Sequence, residues 1–410
     1  MTSESGFSGF RDDYKAVLVA PWSPYFGAMA LVIVVVILMS NGLFWGVFGG
    51  LRLWGDWFNE LIGLNALFGN KPHLDNPLTH RISLLDITLL LGAFSAALLA
   101  GQFRIGRPPP IEYLWGALGG TLMGVGASLA GGCTVGGFFT PIVFSSPAGW
   151  AMLLGLLVGA AIGIRALLWV LENITWGTAA PAPISFSDQT KFVLGFVGLA
   201  VMLAIFVWSY SWYGSENAQL ASRGVIVLAG FALGFILHRS RFCFSHAIRE
   251  PMMTGEGELT KATMLALGVG LLLGSVLLRR EILDPYLAIP ATFWLGSLLG
   301  GTIFGIGMIF AGGCASGSLW RMGEGHLKLW VAVFFFAWSG STFGAILNHW
   351  QVMKPEMTLD LVEATSVGYQ AFLPAMTGGW LSTYLISFAV LAVWYGLVRY
   401  NETTGRFTVF

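Results

Sequence analysis

The sequence predicts an all-α polytopic membrane protein, and three observations carry that reading. Of 410 residues, 56% are hydrophobic, and only 21 Lys+Arg and 21 Asp+Glu are present. That is 10% charged residues, where about 25% is usual for soluble domains. Apolar runs of about twenty residues recur along the chain, each long enough to cross a hydrocarbon core of about 30 Å. A formal net charge of zero excludes the basic footprint of a nucleic-acid binder. No soluble segment is long enough for a conventional catalytic domain, so no nucleic-acid partner and no enzyme activity are expected.

Ten candidate spans follow in order: 26–48, 82–102, 113–132, 148–171, 191–213, 224–240, 262–279, 291–311, 327–347 and 380–399. Helix is the state they predict, because membrane barrel strands alternate in character over about ten residues and these runs are continuous. Arg11, Asp12, Asp13 and Lys15 precede the first run, which lacks a small-residue cleavage site and is expected to be retained. The stretch Leu53-Trp54-Gly55-Asp56-Trp57, with the segment up to Thr79, is expected to face the outside, where aromatic residues suit the interface. Arg104 and Arg107 follow the second run, Arg239 and Arg241 the sixth, and Arg399 and Arg406 surround the end of the last. All fall on one side if the N-terminus is cytoplasmic, and Lys191 and Arg321 agree, whereas Arg279 and Arg280 do not.

Glycine is abundant, at 55 residues, and mostly at spacings that let helices pack closely. Two clusters are different. Gly119 to Gly137 reads GGTLMGVGASLAGGCTVGG and Gly300 to Ser318 reads GGTIFGIGMIFAGGCASGS; at a constant offset of 181 they are identical at 10 of 19 positions. Each is an apolar helix that ends in Gly-Gly, at Gly131-Gly132 and Gly312-Gly313, followed by Cys133 or Cys314. Broken helices at membrane depth are tolerated only where they are buried in protein or line a wet cavity. A matched pair of them is the best sequence pointer to a transporter's binding site. The expected organisation is one integrated transmembrane domain of two pseudo-symmetric repeats, 1–190 with an N-terminal extra helix and 191–410. Five crossings separate the two cluster ends, and an odd number makes the repeats inverted, with short broken or re-entrant helices meeting near the midplane.

The third cysteine, Cys243, lies in GFILHRSRFCFSHAIRE, where a helix runs into a basic, aromatic break. In the first half the comparable stretch is AALLAGQFRIGRPPP, with Arg104 roughly where Cys243 would stand. Three cysteines without CxxC pairing read as free thiols.

These strings, together with NPLTHRISLLD and the MMTG that follows RSRFCFSHAIRE, resemble the YeeE/YedE family of bacterial inner-membrane sulfur-compound permeases. That family includes thiosulfate uptake proteins and a YedE branch associated with selenium metabolism. The resemblance implies an hourglass-shaped bundle of about nine to ten transmembrane helices, multi-pass in the bacterial inner membrane. Short inward-pointing helices would form a thiol-lined path through its waist. It implies thiosulfate as the substrate, with a selenite- or selenide-type species as the alternative. The thiosulfate branch carries its Phe-Cys cysteine in the first repeat, whereas here it stands in the second.

The residues favour a sulfur-bearing anion independently of the family. A thiol is a weak, polarizable S–H donor suited to a soft terminal sulfur. Helix N-termini at the breaks add N–H groups and a positive dipole end. Arg104, Arg239, Arg241 and Arg321 would raise the anion concentration at the mouths, while neutral thiols at the waist avoid binding a dianion too tightly to release it. The expected substrate-binding set is therefore Cys133, Cys243, Cys314, Gly131, Gly132, Gly312, Gly313, Arg241 and Arg104.

Plainer roles compete with these. Cysteine is often a small buried hydrophobe, Arg165 sits where it can snorkel, and Asp86 near the start of its span reads as an interfacial or capping residue. His246, three residues after Cys243, lacks a third metal ligand, and His73, His80 and His326 show no ligand spacing, so neither metal nor cofactor is expected. Soft-metal passage would call for CxxC, Met-x-x-Met or His clusters, all missing from the sequence. A membrane sulfurtransferase would carry a persulfide on Cys243 or Cys314 and relay sulfur to a small cytoplasmic sulfur-carrier protein. No GxxxxGKS motif is present, so direct ATP use is not expected.

Overall fold

Every apolar run is helical in the computed structural model, which describes residues 14–67, 74–174, 179–216, 218–354, 356–357 and 362–408. Arg11, Asp12, Asp13 and His73 lie outside these residues. The principal helices are α1 (Pro24–Ser40), α2 (Phe48–Leu61), α3 (Arg81–Leu99), α4 (Pro110–Ala130), α5 (Thr140–Val143, after a π-helical turn Thr134–Phe139), α6 (Pro147–Asn173) and α7 (Asp188–Tyr210). They continue with α8 (Arg223–Ser240), α9 (Phe244–Met253), α10 (Glu258–Arg279), α11 (Leu295–Ala311), α12 (Ala315–Glu324), α13 (Leu327–His349) and α14 (Trp380–Thr404). Among the described residues nine helical segments are long and apolar enough to span a membrane, and α1, with 17 residues, is a shorter apolar helix.

The first run ends earlier than the sequence predicts. Asn41 leaves helical geometry and Gly42 takes φ 71°, a left-handed conformation that suits glycine, so the chain breaks before position 48. The Trp-rich stretch that follows lies within α2, which packs on α13. Gly55 permits that approach, since a Cβ there would strike Ala337 O. Asn59 Nδ2 donates to Ser341 Oγ at 2.8 Å and Ser341 Oγ to Asp56 Oδ1 at 2.5 Å, so the polar face of α2 is satisfied within the bundle. Only Trp57 of the stretch is largely exposed.

The packing repeats itself. Helix α4 lies on α13 as α11 lies on α6; α8 lies on α3 as α10 lies on α1; α12 meets α3 as α5 meets α10. In this pairing α1 answers α8, so it is a member of the matched set where the sequence predicts an extra helix. The peripheral helices are α7 and α14, whose apolar windows are only 17% and 28% buried. The two central helices α4 and α11 run antiparallel: Gly119 faces Gly307 and Ala311, while Gly126 and Ala130 face Gly300. All these glycines lack room for a Cβ, which is how two backbones approach this closely. Equivalent helices that cross antiparallel are related by an axis perpendicular to them, the geometry of an inverted repeat.

The basic loops gather on one face. Lys191 Nζ donates to Gly101 O at 3.0 Å, Arg241 Nη2 to Gln102 Oε1 at 2.7 Å, and Gly106 N to Gly325 O at 2.9 Å. Two strands, β1 (Arg104–Ile105) and β2 (Ile184–Ser185), pair antiparallel there. Lys261 at the start of α10 pairs with Glu402 at the end of α14 at 2.7 Å, which puts Arg399 on this face. It also puts Arg279 and Arg280, at the far end of α10, on the other, in line with their departure from the charge pattern.

Candidate functional site

Both Gly-Gly-Cys segments are true breaks with the same backbone course. Gly131 has φ 73° and ψ 11°, Gly312 has φ 85° and ψ 13°; both stop a helix by adopting the left-handed conformation. Cys133 (φ −79°, ψ −170°) and Cys314 (φ −80°, ψ −180°) are then extended, and each caps the next helical turn. Cys133 O accepts from Gly137 N and Cys314 O from Ser318 N, both at 2.7 Å. The α4–α11 crossing is centred near Gly124 and Gly305, and Ala130 and Ala311 each lie six residues further on. At 1.5 Å per residue the breaks stand about 9 Å to either side of the centre.

Cys243 joins this arrangement from a different direction. Arg241 takes φ 55° at the end of α8, the chain turns, and Cys243 caps α9. Its Sγ lies 3.8 Å from Cys314 Sγ. Cys314 Sγ also accepts from Gly317 N at 3.4 Å and lies 3.6 Å from Ser316 Oγ. All three thiols are free and buried, and Cys133, at the other break, is within electrostatic reach of Cys314. Aromatic rings fill the waist around them: Trp45 and Phe139 stand 5.8 Å apart, and Phe244 is 6.2 Å from Trp45 and 5.4 Å from Phe139. The Trp45 indole N–H is buried without a hydrogen-bond partner among the described residues, while the Thr134 hydroxyl, next in the chain to Cys133, lies against the Cys314 sulfur.

On the basic face a cavity of about 510 Å³ reaches Gly312, two residues ahead of Cys314. Arg104, Arg107, Arg249, Arg321 and Lys328 line it. Two of these were open to inference: Arg321 follows Cys314 by seven residues and Arg249 follows Cys243 by six, each two turns into its short helix. Arg249 was nonetheless missed, being one charge among several in a basic string, and Lys328 gave no signal. Arg321 Nη1 donates to Gly312 O at 2.8 Å, Arg107 to Ala182 O at 2.8 Å, and Lys328 is paired with Glu112. Arg249 Nε is buried without a hydrogen-bond partner among the described residues.

The predicted arginines separate. Arg104 lines the cavity but belongs to β1 and is not the counterpart of Cys243. The stretch between α1 and α2, Asn41 to Val47, answers the break before α9, and it holds Trp45 in place of a thiol. Arg241 lies beside the waist but is engaged: its Nη1 donates to Glu324 Oε1 at 2.6 Å, and His238 and His326 approach the same carboxylate at 3.6 and 3.4 Å. That cluster ties the end of α12 to the end of α8 and so holds Cys243 and Cys314 in register. Arg239 is buried and donates to Ala20 O. His246 approaches Glu250 at 3.8 Å, and among the described residues no group of three or more His, Cys, Asp or Glu is placed to hold a metal. Arg165 is exposed on the outer surface of α6.

Asp86 does not cap α3. The cap of α3 is His80, whose ring accepts from Ser83 N at 3.3 Å; burial lowers its pKa and keeps it the neutral acceptor a cap needs. Asp86 itself lies in the interior.

A polytopic bundle built on two antiparallel broken helices, with thiols at the breaks and a basic cavity behind one of them, is the architecture of a membrane transporter. The chain belongs to the sulphur transport family, Sulf_transp, whose model matches residues 9–162 and 239–408. It is 27% identical over 394 residues to "Probable transporter YedE" of Escherichia coli (strain K12), covering 92% of each chain. The Salmonella typhimurium protein of the same name is 26% identical over 366 residues, 86% of each. A shorter match of 110 residues, 27% of this chain and 33% of its relative, is 37% identical to "Thiosulfate transporter TsuA" of Spirochaeta thermophila.

Proposed function

We propose that the protein imports a small sulfur-bearing anion, thiosulfate, across the bacterial inner membrane, through two inverted repeats built of α1–α7 and α8–α14. The observation that carries this is the Cys243–Cys314 pair, 3.8 Å apart at the N-termini of two ten-residue helices. Two soft S–H groups can hold a terminal sulfur from two sides, and backbone N–H groups and the dipole ends of α9 and α12 favour negative charge beside them. The basic face is the cytoplasmic one by its Lys and Arg content. An anion would meet Cys133 first, pass the aromatic plug, reach the thiol pair, and leave through the cavity where Arg249 and Arg321 lower its energy.

Transport is favoured over sulfur transfer because the groups placed against the two sulfurs are each other, Gly317 N, Ser316 Oγ and the Thr134 hydroxyl, none of which is a general base. A small soluble sulfur carrier at the cytoplasmic face is the expected recipient. Uptake of labelled thiosulfate into vesicles containing the purified protein tests the reading. Uptake above that of empty vesicles supports it, and equality with empty vesicles overturns it.

A further inference from the structure

The most unusual polar group in the bundle is Asp86. It is 0% exposed, and neither Oδ1 nor Oδ2 has a hydrogen-bond partner. Its room is made by Gly50 of α2, where a Cβ would strike Oδ2 and stand 2.7 Å from Ser83 N. Ionisable side chains inside a membrane bundle are costly and mark proton or ion pathways.

Charged groups on neighbouring elements contact other parts of the bundle. Arg52 of α2 lies against Gly344, Arg223 of α8 donates to Thr79 O at 2.9 Å, Lys191 of α7 donates to Gly101 O, and Glu324 of α12 pairs with Arg241. None of these donates a hydrogen bond to Asp86; the Cys133 thiol is a titratable group within its electrostatic reach. An ionised carboxylate here would have no hydrogen-bond donor among the described residues to replace its lost hydration, so the pocket suits the neutral acid. Among the described residues no group of three or more His, Cys, Asp or Glu is placed here to hold a metal.

We propose that Asp86 is a proton-binding site beside the outer break, and that its protonation is coupled to passage of the anion; this rests on the anion-transport reading above. A dianion at Cys133 and an ionised Asp86 repel each other in a medium of low dielectric. Occupancy by the anion therefore favours the protonated acid, and by reciprocity the protonated acid favours the anion. Once the anion moves on towards Arg249 and Arg321, the proton is free to leave.

The test uses purified full-length protein in vesicles, with the voltage clamped by potassium and an ionophore. An acid-outside gradient of one pH unit should raise accumulation of labelled thiosulfate up to about tenfold for each proton coupled, and Asp86→Asn should reduce that ratio to one. Wild-type uptake indifferent to the gradient, or an Asp86→Asn variant that keeps the response, overturns the coupling. Infrared difference spectra give a readout that needs no transport. A carbonyl band from a buried protonated acid should be present in wild type at neutral pH and missing in Asp86→Asn; a wild type without the band overturns the site. Protein that shows the band but takes up no thiosulfate refutes the transport reading, and the coupling with it, while the proton site stands.

Discussion

Cys243 Sγ and Cys314 Sγ lie 3.8 Å apart although 71 residues separate them in the chain. Each begins a short helix that follows a left-handed residue, Arg241 or Gly312. The fold thus delivers two weak donors and two helix N-termini to one point, next to a cavity lined with cations. A single thiol at the end of one helix would offer a soft sulfur atom little more than packing.

If the pair grips the substrate, its loss should be felt in transport before stability. Cys314→Ala removes the soft donor and little volume, and is expected to reduce uptake at least tenfold while costing no more than about 1 kcal/mol of stability. Cys243→Ala should behave alike, and the double variant should be little worse than either single one, since the two act on one atom. Uptake normalised to inserted protein decides: wild-type rates for both singles would make the thiols packing residues.

The breaks were legible in the sequence because Gly-Gly-Cys recurs within a 19-residue match, and a glycine pair after an apolar run has few structural meanings. The thiol pair was not, because nothing local in RSRFCFSHAIRE says which distant residue Cys243 will face; only the packing of α8, α9 and α12 decides that. Asp86 misled because a carboxylate five residues into a helix resembles a first-turn residue, and its burial depends on Gly50, from another helix. Arg104 misled because it follows an apolar helix just as Cys243 does, whereas the matching helix is α1 and the matching stretch carries Trp45.

Gly136 and Gly317 occupy the same place in the repeat, yet their surroundings predict opposite outcomes. A Cβ at Gly317 would stand 2.5 Å from Cys243 Sγ and 3.2 Å from Cys314 Sγ, while one at Gly136 meets nothing within 4 Å. Gly317→Ala is expected to push the sulfurs apart and reduce uptake at least tenfold, and Gly136→Ala to stay within about twofold of wild type. Equal uptake by the two variants, measured side by side in vesicles, would show that the thiol spacing does not matter.

The cavity should govern release and attraction more than recognition. Arg249→Gln removes the guanidinium that lacks a hydrogen-bond partner at Nε among the described residues, and is expected to raise the half-saturating thiosulfate concentration by roughly threefold to tenfold at low salt. The difference should shrink as ionic strength rises, because exposed charges beyond a Debye length of about 8 Å at 0.15 M are screened. Arg107→Gln should do less, since Arg107 is already bonded to Ala182 O. A half-saturation in Arg249→Gln that matches wild type at low salt would remove the cavity from the path.

Sulfate and thiosulfate carry the same charge and have similar shapes, so cations and helix ends cannot separate them, and discrimination falls to the three thiols. At the waist sulfate would exchange its hydration for weak S–H donors and a wall of aromatic carbon around Trp45, Phe139 and Phe244, leaving its oxygens under-satisfied. Thiosulfate can present its terminal sulfur there and keep its oxygens towards the N–H groups of the half-helices. With each soft contact worth on the order of 1 kcal/mol, three in succession give a preference of roughly a hundredfold. Excess unlabelled thiosulfate should therefore suppress labelled uptake strongly, and the same excess of sulfate should hardly affect it. Alanine at Cys133 should narrow the ratio by about fivefold, and alanine at Cys243 or Cys314, which act together, by more. Sulfate that competes as well as thiosulfate in the wild-type protein would leave the cysteines with a packing role alone.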